Sequence, residues 1–335
     1  MQNPQKPILS VIMGIYNNSK TLSEAIESIV NQTYTDWHLI MCDDGSVDDT
    51  YVIAEEYKNK YPDKIILIKN DKNMGLNYTL NHCLQYANTK YIARMDGDDI
   101  SLPTRFEKQV DFLERHSEYA IVSSPMIYFD DNGDFRTGVG CGEPDVNNFP
   151  KGTPFCHAPC MVRYEAYKAV SGYAVSKDRL RVEDWDLWVR MYEKGFKGYN
   201  LSEPLYKMRD DRNAYSRRKF KYRINESRVS ASAVKKLKLS KINYIWVLRP
   251  IIAGLAPKFI YNLVHKRKGK YKVRGIYNVS LFDNDFFDIA FFCICNEIFN
   301  CYWYRYKETC SCKIFYILNF IYLVFSICVE ILCGH

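Results

Sequence analysis

Tyr91-Ile92-Ala93-Arg94-Met95-Asp96-Gly97-Asp98-Asp99-Ile100-Ser101-Leu102-Pro103 joins an apolar run to an acidic turn. Tyr91 to Met95 reads as a buried strand, and Pro103 suits the first position of a following helix. Three carboxylates gathered at the C-terminal edge of a strand repel one another, and each raises the pKa of the others. A hard divalent cation removes that cost. Mg²⁺ takes one or two carboxylates and completes its shell with water and substrate phosphates. Ligands of open α/β sheets bind at this edge. The pattern points to a metal-bound phosphate ligand. A solvated acidic turn is the plain alternative, because Asp-x-Asp alone is a short motif.

A second acidic turn stands upstream. Trp37 to Cys42 reads as a strand and runs into Asp43-Asp44-Gly45-Ser46, where Gly45 permits a tight turn. Ser46 to Asp49 has the outline of a helix-capping box. Ile8 to Met13 is a third strand, ending in Gly14-Ile15-Tyr16-Asn17-Asn18, and Thr21-Leu22-Ser23-Glu24 has the capping-box pattern for the next helix. Any one of these turns is ordinary βα-loop chemistry. Two acidic turns at the same end of successive βα units argue for a shared site.

Strand patterns near 8–13, 37–42, 64–68, 91–95 and 119–124 alternate with helical ones near 21–31, 48–61, 74–88 and 103–115. Such alternation implies a mainly parallel sheet covered on both faces. Segment 130–154 breaks the rhythm as loops or a short hairpin. Residues 155–162 and 198–208 add strands, and a helix runs from about 182 to 194, stopping at Gly195. Neither GxxxxGK[ST] nor GxGxxG occurs, which argues against a P-loop and a Rossmann dehydrogenase.

Six stretches in one order carry a family resemblance: Val11-Ile12-Met13-Gly14-Ile15-Tyr16-Asn17, Ser28-Ile29-Val30-Asn31-Gln32-Thr33-Tyr34, Asp43-Asp44-Gly45-Ser46-Val47-Asp48, Asn73-Met74-Gly75-Leu76, Ala93-Arg94-Met95-Asp96-Gly97-Asp98-Asp99 and Glu183-Asp184-Trp185-Asp186-Leu187-Trp188. Over roughly the first 215 residues the chain resembles a family 2 glycosyltransferase of the GT-A fold, most like bacterial enzymes of capsule, exopolysaccharide and O-antigen assembly. The resemblance implies an inverting, metal-dependent enzyme. It would move a sugar from a nucleotide-diphosphate sugar, a UDP-sugar foremost, to a growing lipid-linked acceptor at the cytoplasmic face of the bacterial inner membrane. No nucleic-acid partner is expected. A processive synthase, or a silent nucleotide- or membrane-binding scaffold, are the rival readings. The Gln-x-x-Arg-Trp motif of the former is missing, and the intact acids speak against the latter.

The same resemblance assigns roles. Asp98 is the ligand of Mg²⁺ or Mn²⁺, Asp96 contacts the donor ribose or the metal, and Asp99 supports the same site. Asp44 accepts a uracil-like imide N–H, Tyr16 stacks near the base, and Asn17 and Asp43 shape the loop; turn formation alone accounts equally well for Asp43. Asp184 is the base that takes the acceptor proton, with Glu183 as its neighbouring alternative and Asp186 structural. Trp185 and Trp188 are core or acceptor-pocket walls. His157 either contacts the acceptor or phosphate or is a packed histidine, and Gly172-Tyr173 lies near the acceptor. Arg209 is a candidate donor contact, although many relatives carry His after this Arg and Asp210-Asp211 stand here.

The implied organisation is a catalytic domain over 1–215, with a nucleotide-sugar half 1–125 and an acceptor half 126–215. A basic, amphipathic helical segment 216–274 and a hydrophobic tail 275–335 follow. The net charge of +7 is uneven: residues 217–241 hold ten Lys/Arg against Glu226 alone, and six of the nine residues 266–274 are basic. That suits an anionic membrane surface, or else a helix packed on the catalytic domain with solvated charges. Run 314–333 is long and apolar enough to span a bilayer core, with Asn319 and Glu330 against it. Seven of the twelve cysteines lie between 293 and 333, in spacings that miss zinc motifs. Met1-Gln2-Asn3-Pro4 lacks the marks of a signal peptide, so a cytosolic setting with reduced thiols is expected.

Overall fold

A computed structural model describes residues 8–210 and 220–255. They fall into two compact units, 8–146 with 153–210 in one and 147–152 with 220–255 in the other.

The first unit opens with β1 (Leu9–Ile15), α1 (Leu22–Val30), β2 (Trp37–Asp43), α2 (Thr50–Lys60), β3 (Ile65–Lys69), α3 (Leu76–Tyr86) and β4 (Tyr91–Asp96). β5 (Ile100–Ser101), α4 (Arg105–Arg115), β6 (Tyr119–Ser123) and the hairpin β7 (Met126–Asp130) and β8 (Gly133–Thr137) follow. The unit closes with β9 (Met161–Arg163), α5 (Tyr164–Ala169), α6 (Glu183–Glu193), β10 (Lys197–Asn200) and β11 (Tyr206–Arg209). Seven strands form one sheet in the order β10-β6-β9-β4-β1-β2-β3. β4, β1, β2 and β3 run parallel, while β9 lies antiparallel between β4 and β6. The sheet is thus mixed where β9 enters. A second sheet, β5-β11-β7-β8, stands beside it.

β1 buries both of its faces, Val11 and Met13 on one and Ile12 on the other, as a central parallel strand must. Leu22, Ala25, Ile26 and Ile29 form the i, i+3, i+4, i+7 stripe of α1 and pack on the β1 side chains with Phe106 and Leu113 of α4. Burying one such Leu or Ile contributes about 1.5–3 kcal/mol.

Two local expectations fail. Pro103 lies outside α4, which starts at Arg105, because β5 takes Ile100 and Ser101 into the second sheet. Neither capping box forms: Thr21 and Asp49 precede α1 and α2 without a side-chain cap bond. Thr21 bonds the Gly97 carbonyl instead, and Ser46 Oγ accepts from the Asn17 N–H.

In the second unit α7 (Phe220–Lys236) precedes α8 (Ile245–Leu255), and Ile251 packs with Ile224, Leu248 and Ile252. The Ser230 hydroxyl donates to the Pro150 carbonyl at 2.7 Å. Among the described residues no helix is long and apolar enough to cross a membrane. Runs 266–274 and 314–333 and the seven C-terminal cysteines lie outside the described residues.

Candidate active site

Chain order runs outward from β1 to β3 and then returns to β4 on the other side of β1. Strand order reverses there, so the loops after β1, β2 and β4 open at one place. In register, Gly14 lies beside Asp96, and Ile15 beside Asp43. The Thr21 hydroxyl donates to the Gly97 carbonyl at 2.9 Å, tying the start of α1 to the acidic turn. Asn17, at φ +53°, joins the first two loops: its N–H donates to Ser46 Oγ at 3.1 Å, and its amide oxygen accepts from the Val47 N–H at 3.0 Å. Tyr16 beside it stands exposed.

Asp43 is fully buried, its carboxylate facing the Ser46 N–H at 3.3–3.4 Å, which is turn-forming geometry. Asp44 is also buried, and it anchors the loop after β3. Oδ1 accepts from Asn70 Nδ2 and the Met74 N–H, both at 2.8 Å, and Oδ2 accepts from the Gly75 N–H at 2.9 Å. Gly45 between the loops has φ +75°, and a Cβ there would sit 2.9 Å from the Asn73 nitrogen, so the approach requires glycine.

Arg94 organises the β4 edge. It lies two residues before Asp96, on the same face of the strand. Its Nη2 meets Asp96 Oδ1 at 2.6 Å in a largely buried pair. Burial works against the guanidinium charge, yet Asp96 above all holds its pKa above the ordinary arginine range. The Asp98 carboxyl is raised by burial and then by Asp96. Asp99 is raised well above the carboxylate range by burial, Asp96 and Asp98, and its Oδ1 accepts the Arg209 N–H at 2.8 Å. Arg105, fully buried under this edge, donates Nη2 to the Arg94 carbonyl at 2.8 Å.

The Glu183-Asp184 pair opens α6, where the N-terminal dipole favours carboxylates. Burial raises both carboxyls; the Trp185 N–H, the Thr153 hydroxyl and the Arg94 charge pull Asp184 back, while Asp184 raises Glu183 further. His157 Nε2 meets the Tyr173 hydroxyl at 2.9 Å, and burial followed by Arg94 lowers its pKa well below 6.5. Tyr173 is fixed through its backbone, since the Asn81 amide bonds both its N–H and its carbonyl at 2.8 Å. Gly172 has φ +69°, and a Cβ there would meet Asn81 Oδ1 at 2.4 Å. Trp185 is buried, and Trp188 packs edge-on to Phe155 and His157.

Arg209 ends β11 beside the acidic turn. Its Nε donates to the Asp98 carbonyl at 3.2 Å, and Nη2 pairs with Glu24 Oε2 at 2.8 Å.

Among the described residues no three His, Cys, Asp or Glu side chains are gathered as a ready-made metal cage. The raised carboxyls of Asp98 and Asp99 nonetheless fit a cation that takes one or two carboxylates and shares its shell with a diphosphate. Sequence reasoning missed Arg94, Asn70 and Glu24 as site residues. Arg94 had a signal: a charge inside an apolar strand needs a partner, and the nearest carboxylate on its face is Asp96.

A sequence profile described as Glycosyl transferase family 2 matches residues 10–170. A Bacillus subtilis protein named as glycosyltransferase EpsE is 45% identical over 270 residues, 81% of this chain and 97% of the relative. The chain belongs to glycosyl transferase family 2. It is therefore a glycosyltransferase. A relative in Escherichia coli, UDP-Glc:alpha-D-GlcNAc-diphosphoundecaprenol beta-1,3-glucosyltransferase WfaP, is 30% identical over 225 residues, 67% of this chain and 86% of that one. The fold resembles that of S. aureus TarS 1-349, solved in complex with UDP-GlcNAc, at TM-score 0.58 and 17% identity over 79% of this chain and 76% of that one. The GT-A expectation is borne out.

Proposed function

We propose that this glycosyltransferase moves one sugar, with inversion, from a UDP-sugar to a lipid-linked glycan acceptor, with Asp184 as base and a divalent cation held by Asp98 and Asp96. One observation carries the reading. Arg94 pairs with Asp96, and its charge also acts on Glu183 and Asp184, so both acidic motifs face one buried guanidinium. The donor-side and acceptor-side acids then answer to the same charge. WfaP, named for a diphosphoundecaprenol-linked acceptor, and TarS, solved with UDP-GlcNAc, support the acceptor and donor classes.

Asp184 takes the acceptor hydroxyl proton as the oxygen attacks the anomeric carbon. Burial raises its carboxyl, which makes the ionised form a stronger base. Direct attack with one base inverts the centre. A bound cation supplies positive charge to the departing diphosphate. Asp44 uses three of about four acceptor positions on the neighbouring loop, and the remaining one, on Oδ2, is available to an imide N–H. Tyr16 is exposed for stacking.

The basic unit around α7 and α8, with runs 266–274 and 314–333, places the enzyme at an anionic membrane in this reading. The deciding assay is UDP release from candidate UDP-sugars with and without a polyprenyl-diphosphate sugar, and with and without chelator. Acceptor-dependent release that chelator abolishes is expected, and Asp98→Ala should match the chelated enzyme. Full turnover in excess chelator would remove the metal assignment. No nucleotide release from any donor would favour the silent scaffold.

A further inference from the structure

The Thr21-Leu22-Ser23-Glu24 pattern caps no helix. Thr21 serves the acidic turn through Gly97, and Glu24, in the first turn of α1, reaches Arg209. The rest of Arg209 is fixed. Its N–H is on Asp99, its Nε is on the Asp98 carbonyl, and its guanidinium lies over the Phe129 ring at 4.5 Å. The terminal nitrogens have different company: Nη2 on Glu24 at 2.8 Å and Nη1 on Asp131 at 3.4 Å. The Glu24 side chain is 53% exposed and that of Asp131 is 99% exposed. Exposed pairs of this kind are weak and exchange readily.

We infer that Glu24 is a resting seat for the Arg209 guanidinium, from which a nucleoside diphosphate draws it at the acidic turn. The inference rests on the donor reading above. Among the described residues, Asp96, Asp98, Asp99, Glu24 and Asp131 gather around this edge, and the guanidiniums that contact them are Arg94 and Arg209. An incoming diphosphate needs a cation. Arg94 is buried and committed to Asp96, whereas Arg209 can turn its outer nitrogens without leaving Asp98 and Asp99. A diphosphate carries more charge than one carboxylate and accepts a guanidinium in bidentate fashion. Glu24 keeps the arginine ordered beside the site while competing with the donor, so it sets donor affinity without touching the reacting atoms.

The experiment is calorimetric titration of the full-length chain with UDP and Mg²⁺. Glu24→Gln keeps the shape and removes the competing charge, so it should tighten UDP about threefold, the scale of an exposed ion pair. Arg209→Gln should weaken UDP about tenfold or more, as loss of a charge-assisted contact does. Adding Glu24→Gln to Arg209→Gln should then change nothing. Uridine, without the diphosphate, should bind wild type and Glu24→Gln alike. Unchanged or weaker UDP binding by Glu24→Gln overturns the inference, as does a gain that persists without Arg209 or that uridine shares. If wild type binds no nucleoside diphosphate, the donor reading fails and the seat fails with it. If wild type binds UDP and only the Glu24→Gln gain is missing, the donor reading stands alone.

Discussion

The Asp186 carboxylate accepts Nε–H from Arg190, one turn along α6, at 2.7 Å, and Arg190 in turn donates Nη1 to the carbonyls of Val170 and Gly172 at 2.7 and 2.9 Å. The other oxygen of Asp186 accepts from Arg179 at 2.7 Å. The last acid of Glu183-Asp184-Trp185-Asp186 thus faces away from chemistry. It clamps the loop before α6 and, through Arg190, the Gly172-Tyr173 corner on which His157 rests.

Removing that clamp should cost stability first. Asp186→Ala leaves two guanidiniums without their shared carboxylate, and breaking a buried ion pair this way costs about 3 kcal/mol. Urea unfolding of the two proteins measures the difference. A variant as stable as wild type would show that the clamp is dispensable.

Asp184→Asn should keep the fold and donor binding while turnover drops by a factor on the order of 10²–10⁴, the usual worth of a positioned base. Single-turnover rates with saturating donor, alongside UDP titration, separate the two quantities. If turnover survives, Glu183→Gln is the next variant to assay. Because burial raises the Asp184 carboxyl, the acid limb of the wild-type rate profile should be displaced upward from the ordinary aspartate value.

His157 gives a pH signature in stability. Its folded pKa is depressed, so the unfolded chain takes up a proton below about 6.5 that the native state refuses. Stability should therefore fall as pH drops through 6.5, with a slope from this group of up to about 1.4 kcal/mol per pH unit. His157→Gln should flatten that part of the curve relative to wild type. Parallel curves between pH 7 and pH 5.5 would mean that His157 does not carry the effect.

Membrane attachment should separate into two components. The basic stretch 216–274 should give binding that high salt weakens, because screening reduces attraction to anionic lipid. Run 314–333 should give binding that salt leaves alone, and removing 313–335 should abolish only that part. Fractionation of both proteins at low and high salt tests this. A full-length protein soluble in both would place the tail against protein instead of lipid.

Short apolar runs and period-3.6 patterns, with glycine and proline punctuation, put β1 to β4 and α1 to α3 within about two residues of their places, because these elements answer to local sterics and to the burial of their apolar side chains. The acidic turns were legible for the same reason: a carboxylate cluster at a strand end has few explanations. What the sequence could not decide was where polar side chains turn. Thr21 and Glu24 have a capping-box pattern, and the pattern is local. Only the return of β4 beside β1 brings Gly97 to Thr21, 76 residues away, and only the pairing of β11 with β5 and β7 brings Arg209 to Glu24, 185 residues away. The same holds for Arg94, whose charge couples Asp96 to a helix that begins at Glu183. Hydrogen bonds and charge act over a few ångströms of space. Chain order fixes which groups exist, and the crossing of the strands decides which of them meet.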